Sequence, residues 1–314
     1  MAKTAFLFPG QGSQSVGMMS ALADEHAQIK TTFEQASEVL GYDLWSLISN
    51  GPAEELNKTE ITQPAMLVSG IATWRVWQEA GGSLPDYFAG HSLGEYSALV
   101  AAGVMSFEDA VAVVAARGRF MQQATPAGTG AMAAVIGLED QQLRDICEQA
   151  QQGEVVACAN FNSPGQVVIS GDKAAVERAG ELATEAGARR VLPLPVSVPS
   201  HCLLMKPAAA KLQELLLTVR LSDAGVAVIQ NADVVAYTDA EQVREALARQ
   251  LWQPVRWTET IEYLVASGVQ QFVECGPGKV LAGLNRRISR EPTVFALSDN
   301  TGLQNAIEAG SNNE

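Results

Sequence analysis

The sequence predicts an α/β protein with a parallel-sheet main body and a small inserted domain of ferredoxin-like βαββαβ order. Three observations carry that expectation. Short apolar runs ending in turn residues alternate with longer amphipathic stretches as far as Ala124, the rhythm of parallel strands joined by crossover helices. From Ala131 to Leu194 the rhythm becomes strand, helix, strand, turn, strand, helix, strand, the split βαβ pattern. The proline-rich stretch Pro193 to Pro199 then returns the chain to further β-like runs.

The elements follow in order. Ala5 to Phe8 is a strand that runs into Pro9-Gly10; Met18 to Leu40 is amphipathic and helical; a connection passes through Gly51-Pro52; Pro64 to Ala80 is helical and Tyr87 to Ala89 is a strand. Glu95 to Ala102 and Phe107 to Ala124 read as helices, the second closed by the breaker run Pro126 to Gly130. In the insert, residues 131–137, 154–161, 166–171 and 188–194 are β-like, 139–150 and 172–187 helical, and Asn162 to Gly165 a turn. Val226 to Ile229, Gln271 to Glu274 and Thr293 to Leu297 supply later strands. The expected domains are 1–126 with 197–314, and 127–196 inserted between them.

Composition narrows the classes. With 47% hydrophobic and 18% charged residues the chain is of globular type. A formal net charge of -14 argues against nucleic acid or an anionic membrane as partner, since both call for a broad basic surface. No apolar run approaches the roughly 18 residues of a membrane span, and the N-terminal run Thr4 to Phe8 is too short for a signal peptide. Cys147, Cys158, Cys202 and Cys275 are far apart and form no C-x-x-C pair; reduced thiols in a cytoplasmic protein are expected, with neither a zinc site nor a disulfide framework.

The chemistry starts at Gly90-His91-Ser92-Leu93-Gly94, a G-x-S-x-G pentapeptide between a strand and a helix. That setting is what a nucleophile elbow needs: a sharp turn with room only for glycine on either side, holding the serine oxygen at a helix N-terminus. A serine hydroxyl requires a base, and the chain has three histidines. His26 sits in a charged helical stretch and reads as a solvated surface residue; His91 adjoins the serine, where side chains diverge, and reads as a packing residue. His201, in the irregular segment Val198 to Cys202 where the insert rejoins the main body, is left as the base. A third group should orient its imidazole, and no acidic residue stands out for that task. Gly10-Gln11-Gly12 after the first strand lacks the third glycine of a dinucleotide site, which would fall at Ser15.

Phe8 to Gln14, Gly90 to Glu95, Arg117-Gly118, Asn160 to Gly165, Pro199-Ser200-His201 and Gly276-Pro277-Gly278, in that order along the chain, resemble the malonyl-CoA:acyl carrier protein transacylase family of fatty acid synthesis. The likeness spans about residue 4 to about residue 298. It implies an α/β-hydrolase-like main domain with a ferredoxin-like insert. It also implies Ser92 as nucleophile, His201 as base, and the backbone carbonyl of Gln250 in place of a carboxylate as the group orienting the imidazole. By the same resemblance the backbone N–H groups of Gln11 and Leu93 form the oxyanion hole, and Gln63 and Asn160 are pocket residues, although each could be a loop or strand-end polar group.

Arg117 carries the choice of substrate. At helical spacing it shares an apolar stripe with Ala110, Val114 and Met121, and a buried guanidinium needs a carboxylate partner. An internal Asp or Glu is one possibility; the resemblance points to the free carboxylate of malonyl, which acetyl lacks. The expected substrates are therefore malonyl-CoA and an acyl carrier protein, with no cofactor beyond the coenzyme A thioester that is itself substrate. An esterase or thioesterase with the same elbow, and a malonyl transferase of a malonate decarboxylase system, are the alternatives. Arg189-Arg190 and Arg286-Arg287 with Arg290 are the basic clusters expected to flank the entrance for an acidic carrier.

Overall fold

The computed structural model describes residues 2–126, 128–196 and 198–311. Among the described residues nine strands form two sheets: β1 Lys3–Phe8, β2 Tyr87–Gly90, β3 Gly130–Ile136, β4 Val156–Ser163, β5 Gln166–Asp172, β6 Arg190–Pro193, β7 Ala227–Ile229, β8 Val269–Glu274 and β9 Thr293–Ala296. The first sheet has order β7-β2-β1-β8-β9, with every pairing parallel. The second has order β4-β5-β3-β6, every pairing antiparallel, which in chain order is the ferredoxin-like arrangement. The expected domain boundaries fall on residues 127 and 197, which lie outside the described residues. No helix among the described residues is long and apolar enough to cross a membrane.

β1 shows why the first strand reads as an unbroken apolar run. Phe6 and Phe8 pack into one hydrophobic cluster and Ala5 and Leu7 into the cluster on the opposite face, as a central parallel strand covered on both sides requires. Phe6 meets Trp74 and Trp77 edge-on at 5.2 and 5.0 Å, and these belong to the helix Thr59–Glu79. That packing fixes the helix that bears Gln63. In the second sheet, Ala133 and Val135 of β3 face the helices Asp140–Ala150 and Lys173–Glu185 in a core of their own.

The two sheets are joined through a short extended segment. Phe161 N–H donates to Val255 O at 2.9 Å and Val255 N–H to Ala159 O at 2.8 Å, so residue 255 prolongs the edge of β4. The loops after β1 and β8 also meet, a Cβ at Gly276 falling 3.1 Å from the Pro9 ring. Together with the turn after β2 they gather at the carboxyl ends of the parallel strands, where α/β folds bind ligands.

Several elements differ from expectation. The stretch Met18 to Leu40 is two helices, Ser20–Ala23 and Ala27–Leu40, because His26 adopts an extended conformation and its Nε2 meets Asn300 Oδ1 at 3.1 Å. His26 is thus half-buried and tied to the C-terminal helix rather than solvated. β4 runs on to Ser163, which pairs with Gln166, so the turn shrinks to Pro164-Gly165. The helix placed at Pro64 to Ala80 begins at Thr59, which puts Gln63 inside a helix and not in a loop.

Candidate active site

The turn after β2 takes its shape from close packing. A Cβ at Gly90 would lie 1.9 Å from the Gly94 carbonyl carbon, one at Gly94 2.0 Å from Phe8 O, and one at Gly10 2.4 Å from His91 O. Only hydrogen fits at these three positions. Between the glycines Ser92 is left-handed, with φ of 51°, a strained conformation for a residue with a side chain. The helix Gly94–Ala101 starts immediately after Leu93.

Ser92 Oγ lies 2.7 Å from His201 Nε2, and His201 Nδ1 lies 2.7 Å from the backbone oxygen of Gln250. A carbonyl only accepts, so Nδ1 carries the proton and Nε2 presents its lone pair to the serine hydroxyl. His201 is itself left-handed, φ 61°, and its N–H donates to Leu251 O at 2.9 Å; the C-terminal end of the helix Ala240–Gln250 and its cap residue thus hold the histidine at both ring and backbone. Burial, then the positive charge of Arg117, pulls His201 down to about 3. The imidazole is neutral at physiological pH and free to take a proton.

Arg117 projects from the helix Phe107–Ala124, which Ser106 caps through Asp109 N at 3.1 Å. It is 1% exposed. Nη1 donates to Gln63 Oε1 and Nη2 to Gln250 Oε1, both at 2.9 Å, and Cζ lies 5.5 Å from the centre of the Tyr96 ring. Nε has no hydrogen-bond partner among the described residues, and no ion pair of Arg117 is found there either. Two neutral amides and an aromatic ring contact this cation, and the buried Glu95 carboxyl acts on it through space without pairing to it.

The acyl transferase domain family matches residues 5–296. The chain is 56% identical to the malonyl CoA-acyl carrier protein transacylase of Salmonella typhimurium, over 98% of this chain and 99% of that protein. It is 55% identical to the Escherichia coli K12 protein of the same name, over 98% and 100%. An acyl carrier protein S-malonyltransferase from Vibrio cholerae superposes with a TM-score of 0.94 at 57% identity, covering 97% of this chain and 99% of that one. A malonyl-transacylase in complex with its type II PKS acyl-carrier protein superposes at 0.97 with 52% identity, covering 98% and 100%. The chain belongs to the malonyl CoA-acyl carrier protein transacylase family.

Of the residues that the family resemblance singles out, the structure brings Ser92, His201, Gln250, Arg117 and Gln63 into one connected network. Gln250 is its hub, since its Nε2 also donates to Ser92 O at 2.8 Å. Gln63 is 1% exposed and its Nε2 reaches Met121 Sδ at 3.3 Å. Leu93 follows the nucleophile, and Gln11 lies in the loop after β1; among the described residues neither backbone N–H donates to a protein acceptor. Asn160 sits on β4, bridged by its backbone to Val255, and among the described residues no hydrogen bond joins its side chain to the network. The link from the second sheet to the elbow runs instead through Asn162, whose Oδ1 meets His91 Nε2 at 2.8 Å. His91 packs against the Trp257 ring at 5.5 Å, the packing and hydrogen-bonding role expected of it.

Sequence reasoning passed over Asn162, Asn231 and the chemistry of Glu95. Asn231 Oδ1 accepts from Ser92 N–H at 2.6 Å, and Glu95 Oε2 accepts from Asn231 N–H at 2.7 Å. Burial raises the Glu95 carboxyl to about 7, and the Asn231 N–H offsets part of that rise. The available signal was position: Asn231 lies just past the carboxyl end of β7, the edge of a parallel sheet where site residues collect. The basic residues Arg189, Arg190 and Arg287 line one cavity of about 490 Å3 with Ser163 to Gln166 at its side. Arg286 lies outside that lining, its Nη2 donating to Val294 O at 3.2 Å.

Proposed function

We propose that this chain transfers malonyl from coenzyme A to the phosphopantetheine thiol of an acyl carrier protein through a malonyl-serine intermediate, in fatty acid biosynthesis. The observation that carries the reading is Arg117, buried and held only by neutral amide oxygens in the same network as a serine–histidine pair at 2.7 Å. A guanidinium in that setting selects a carboxylate, and malonyl-CoA offers one on the acyl side of its thioester. Relatives bearing the transacylase name at more than half identity support the same activity.

In the proposed sequence His201 Nε2 removes the Ser92 proton as Oγ attacks the thioester carbonyl. A carbon–oxygen bond forms and the carbonyl oxygen becomes negative, stabilised by the N–H groups of Leu93 and Gln11. Collapse breaks the carbon–sulfur bond, and His201 delivers the proton to the departing coenzyme A sulfur. The carrier thiol then gives its proton to His201 and attacks the malonyl-serine, and the serine oxygen leaves with that proton. Gln250 O holds the imidazolium while it exists. Coenzyme A thioester is substrate in this scheme, and no step calls for a metal or redox group. A cytoplasmic location fits that substrate and four unpaired buried thiols.

Intact mass spectrometry after mixing with malonyl-CoA tests the reading. One malonyl group should add to the wild type and none to Ser92→Ala, with coenzyme A release stopping near one equivalent when no carrier is present. Continuous release would make the protein a hydrolase, and an adduct on Ser92→Ala would remove Ser92 as nucleophile.

A further inference from the structure

We propose that Asn231 is a positioning residue that holds the nucleophile's turn in its reactive shape. The β2–β7 ladder ends at Ala89 and Ile229, one residue before the turn begins. Beyond that point the Asn231 side chain continues the pairing. Its Oδ1 accepts from Ser92 N–H at 2.6 Å and its Nδ2 donates to Gly90 O at 2.5 Å, so one amide spans the elbow on both sides of His91. Asn231 is itself fully buried and fixed by its backbone. Its N–H donates to Glu95 Oε2 at 2.7 Å, and its carbonyl accepts from Arg256 N–H at 3.2 Å. With Gln250 Nε2 on Ser92 O at 2.8 Å, the backbone of the nucleophile is clamped at both its amide and its carbonyl by buried side chains.

Ser92 is left-handed, so the turn persists only where its surroundings over-determine it. The Asn231 clamp does this, and it also occupies the Ser92 N–H. Leu93 N–H is then the elbow donor left unpaired toward the reacting oxygen. Asn231 touches no substrate atom; it acts through the placement of Ser92 Oγ against His201 and through the direction of Leu93 N–H. A carboxamide is required because the position must accept on one side and donate on the other. A protonated carboxyl meets the same requirement, and a carboxylate does not.

The inference rests on Ser92 being the acylated residue, and the test separates the two. Acyl-enzyme formation from malonyl-CoA is measured by rapid quench for the wild type, Asn231→Ala and Asn231→Asp. Asn231→Ala should acylate about a hundredfold more slowly, with the malonyl-to-acetyl preference unchanged, since Arg117 is untouched. Asn231→Asp, the variant closest in shape, should recover as pH falls. Its rate relative to wild type should rise at least about tenfold from about pH 8.5 to about pH 5.5 as the introduced carboxyl regains the proton it must donate to Gly90 O. Glu95 from the neighbouring helix, Asp233 in the same loop, and the cations Arg249 and Arg256 beside that loop are the charges around it. The same recovery should therefore persist in a Glu95→Gln background. A pH-independent ratio for Asn231→Asp, a recovery that vanishes with Glu95, or wild-type acylation by Asn231→Ala would each overturn the proposal while leaving Ser92 labelled. Loss of the Ser92 label from the wild type would overturn the underlying reading instead.

Discussion

Two halves of the site differ in how completely the protein satisfies them. Around Ser92 the polar groups have internal partners: the hydroxyl has His201, the ring Nδ1 has Gln250 O, and the serine backbone has Asn231 and Gln250. Around Arg117 a full positive charge meets two amide oxygens, and Nε meets no acceptor among the described residues. The first half is complete in the folded chain and so is preorganised for whichever thioester arrives. The second half has the buried Glu95 carboxyl acting on Arg117 through space but no carboxylate paired to the guanidinium among the described residues, so the acyl group that supplies one is favoured there. Reactivity and selectivity thus reside in separate groups, joined at Gln250, whose backbone oxygen serves the histidine while its side chain serves both the arginine and the serine.

Removing a member of the complete half should cost the most and should not discriminate between acyl groups. His201→Ala is expected to slow acylation by about 10² to 10⁴-fold, the usual worth of a positioned base, for malonyl-CoA and acetyl-CoA alike. Quench-flow with both thioesters checks it; a loss confined to malonyl would show that the halves are not separable. Because His201 is held near 3, the wild-type acylation profile should also lack the fall near pH 6.5 that an unperturbed imidazole would impose.

Glu95 touches both halves, through Asn231 N–H and through the field of Arg117. Its carboxyl is raised from 4.5 to about 7. A raised acid binds its proton more tightly folded than unfolded, so this group favours folding below about 4.5 and loses that contribution as pH climbs through 7. Glu95→Gln keeps an acceptor for Asn231 and removes the titration. It should raise stability at alkaline pH by about 3 kcal/mol relative to wild type and leave acidic stability little changed. Urea unfolding across that pH range reads the difference, and parallel curves for the two proteins would mean that Glu95 is ionised without penalty.

Much of this comparison was legible in the chain. The strands β1 and β2, the insert order and the helix Phe107–Ala124 follow from apolar periodicity, and Arg117 stood out as a charge on an apolar stripe. The elbow was legible because the two glycines flanking the serine turn, Gly90 and Gly94, are forced by backbone contact. The orienting carbonyl was not, since a backbone oxygen leaves no residue-type signature; only resemblance supplied Gln250. Asn231 and Asn162 were missed for a related reason, as each acts through contacts across more than seventy positions of sequence. The helices after residue 205 also went unread, although Pro207 opens one and Asp239 caps another through Glu241 and Gln242 N–H; Lys279, which precedes a third, offers no side-chain cap.

Truncating the incomplete half sharpens the contrast. Arg117→Ala should lower malonyl acylation by about 10 to 100-fold, the range for losing hydrogen bonds to a charged group, while acetyl acylation holds or rises because no buried cation then goes unpaired. Equal losses for the two thioesters would make Arg117 structural and place selectivity elsewhere.

The arginines at the surface extend the comparison to a third environment, where the same charge should count for least. Arg189, Arg190 and Arg287 line one cavity beside Ser163 to Gln166, and the residue before that turn, Asn162, reaches His91 next to the nucleophile. The patch therefore adjoins the turn that contacts the elbow through Asn162 and His91. In a chain of net charge -14 an acidic carrier protein would be repelled at long range, and only a local basic cluster acting within about 8 to 10 Å can reverse the sign of the encounter. Arg117 works in a site closed to water, whereas these groups work in solvent and salt, so their contribution is smaller and falls with ionic strength. Reversing all three to Glu should raise the KM for the carrier by about threefold to tenfold at low salt. The difference should narrow as salt is added, and single-turnover acylation by malonyl-CoA should stay at the wild-type rate. A salt-independent effect would mean that the substitutions disturb the β4–β5 turn and not the encounter, and an unchanged KM at low salt would place the carrier on another face of the molecule.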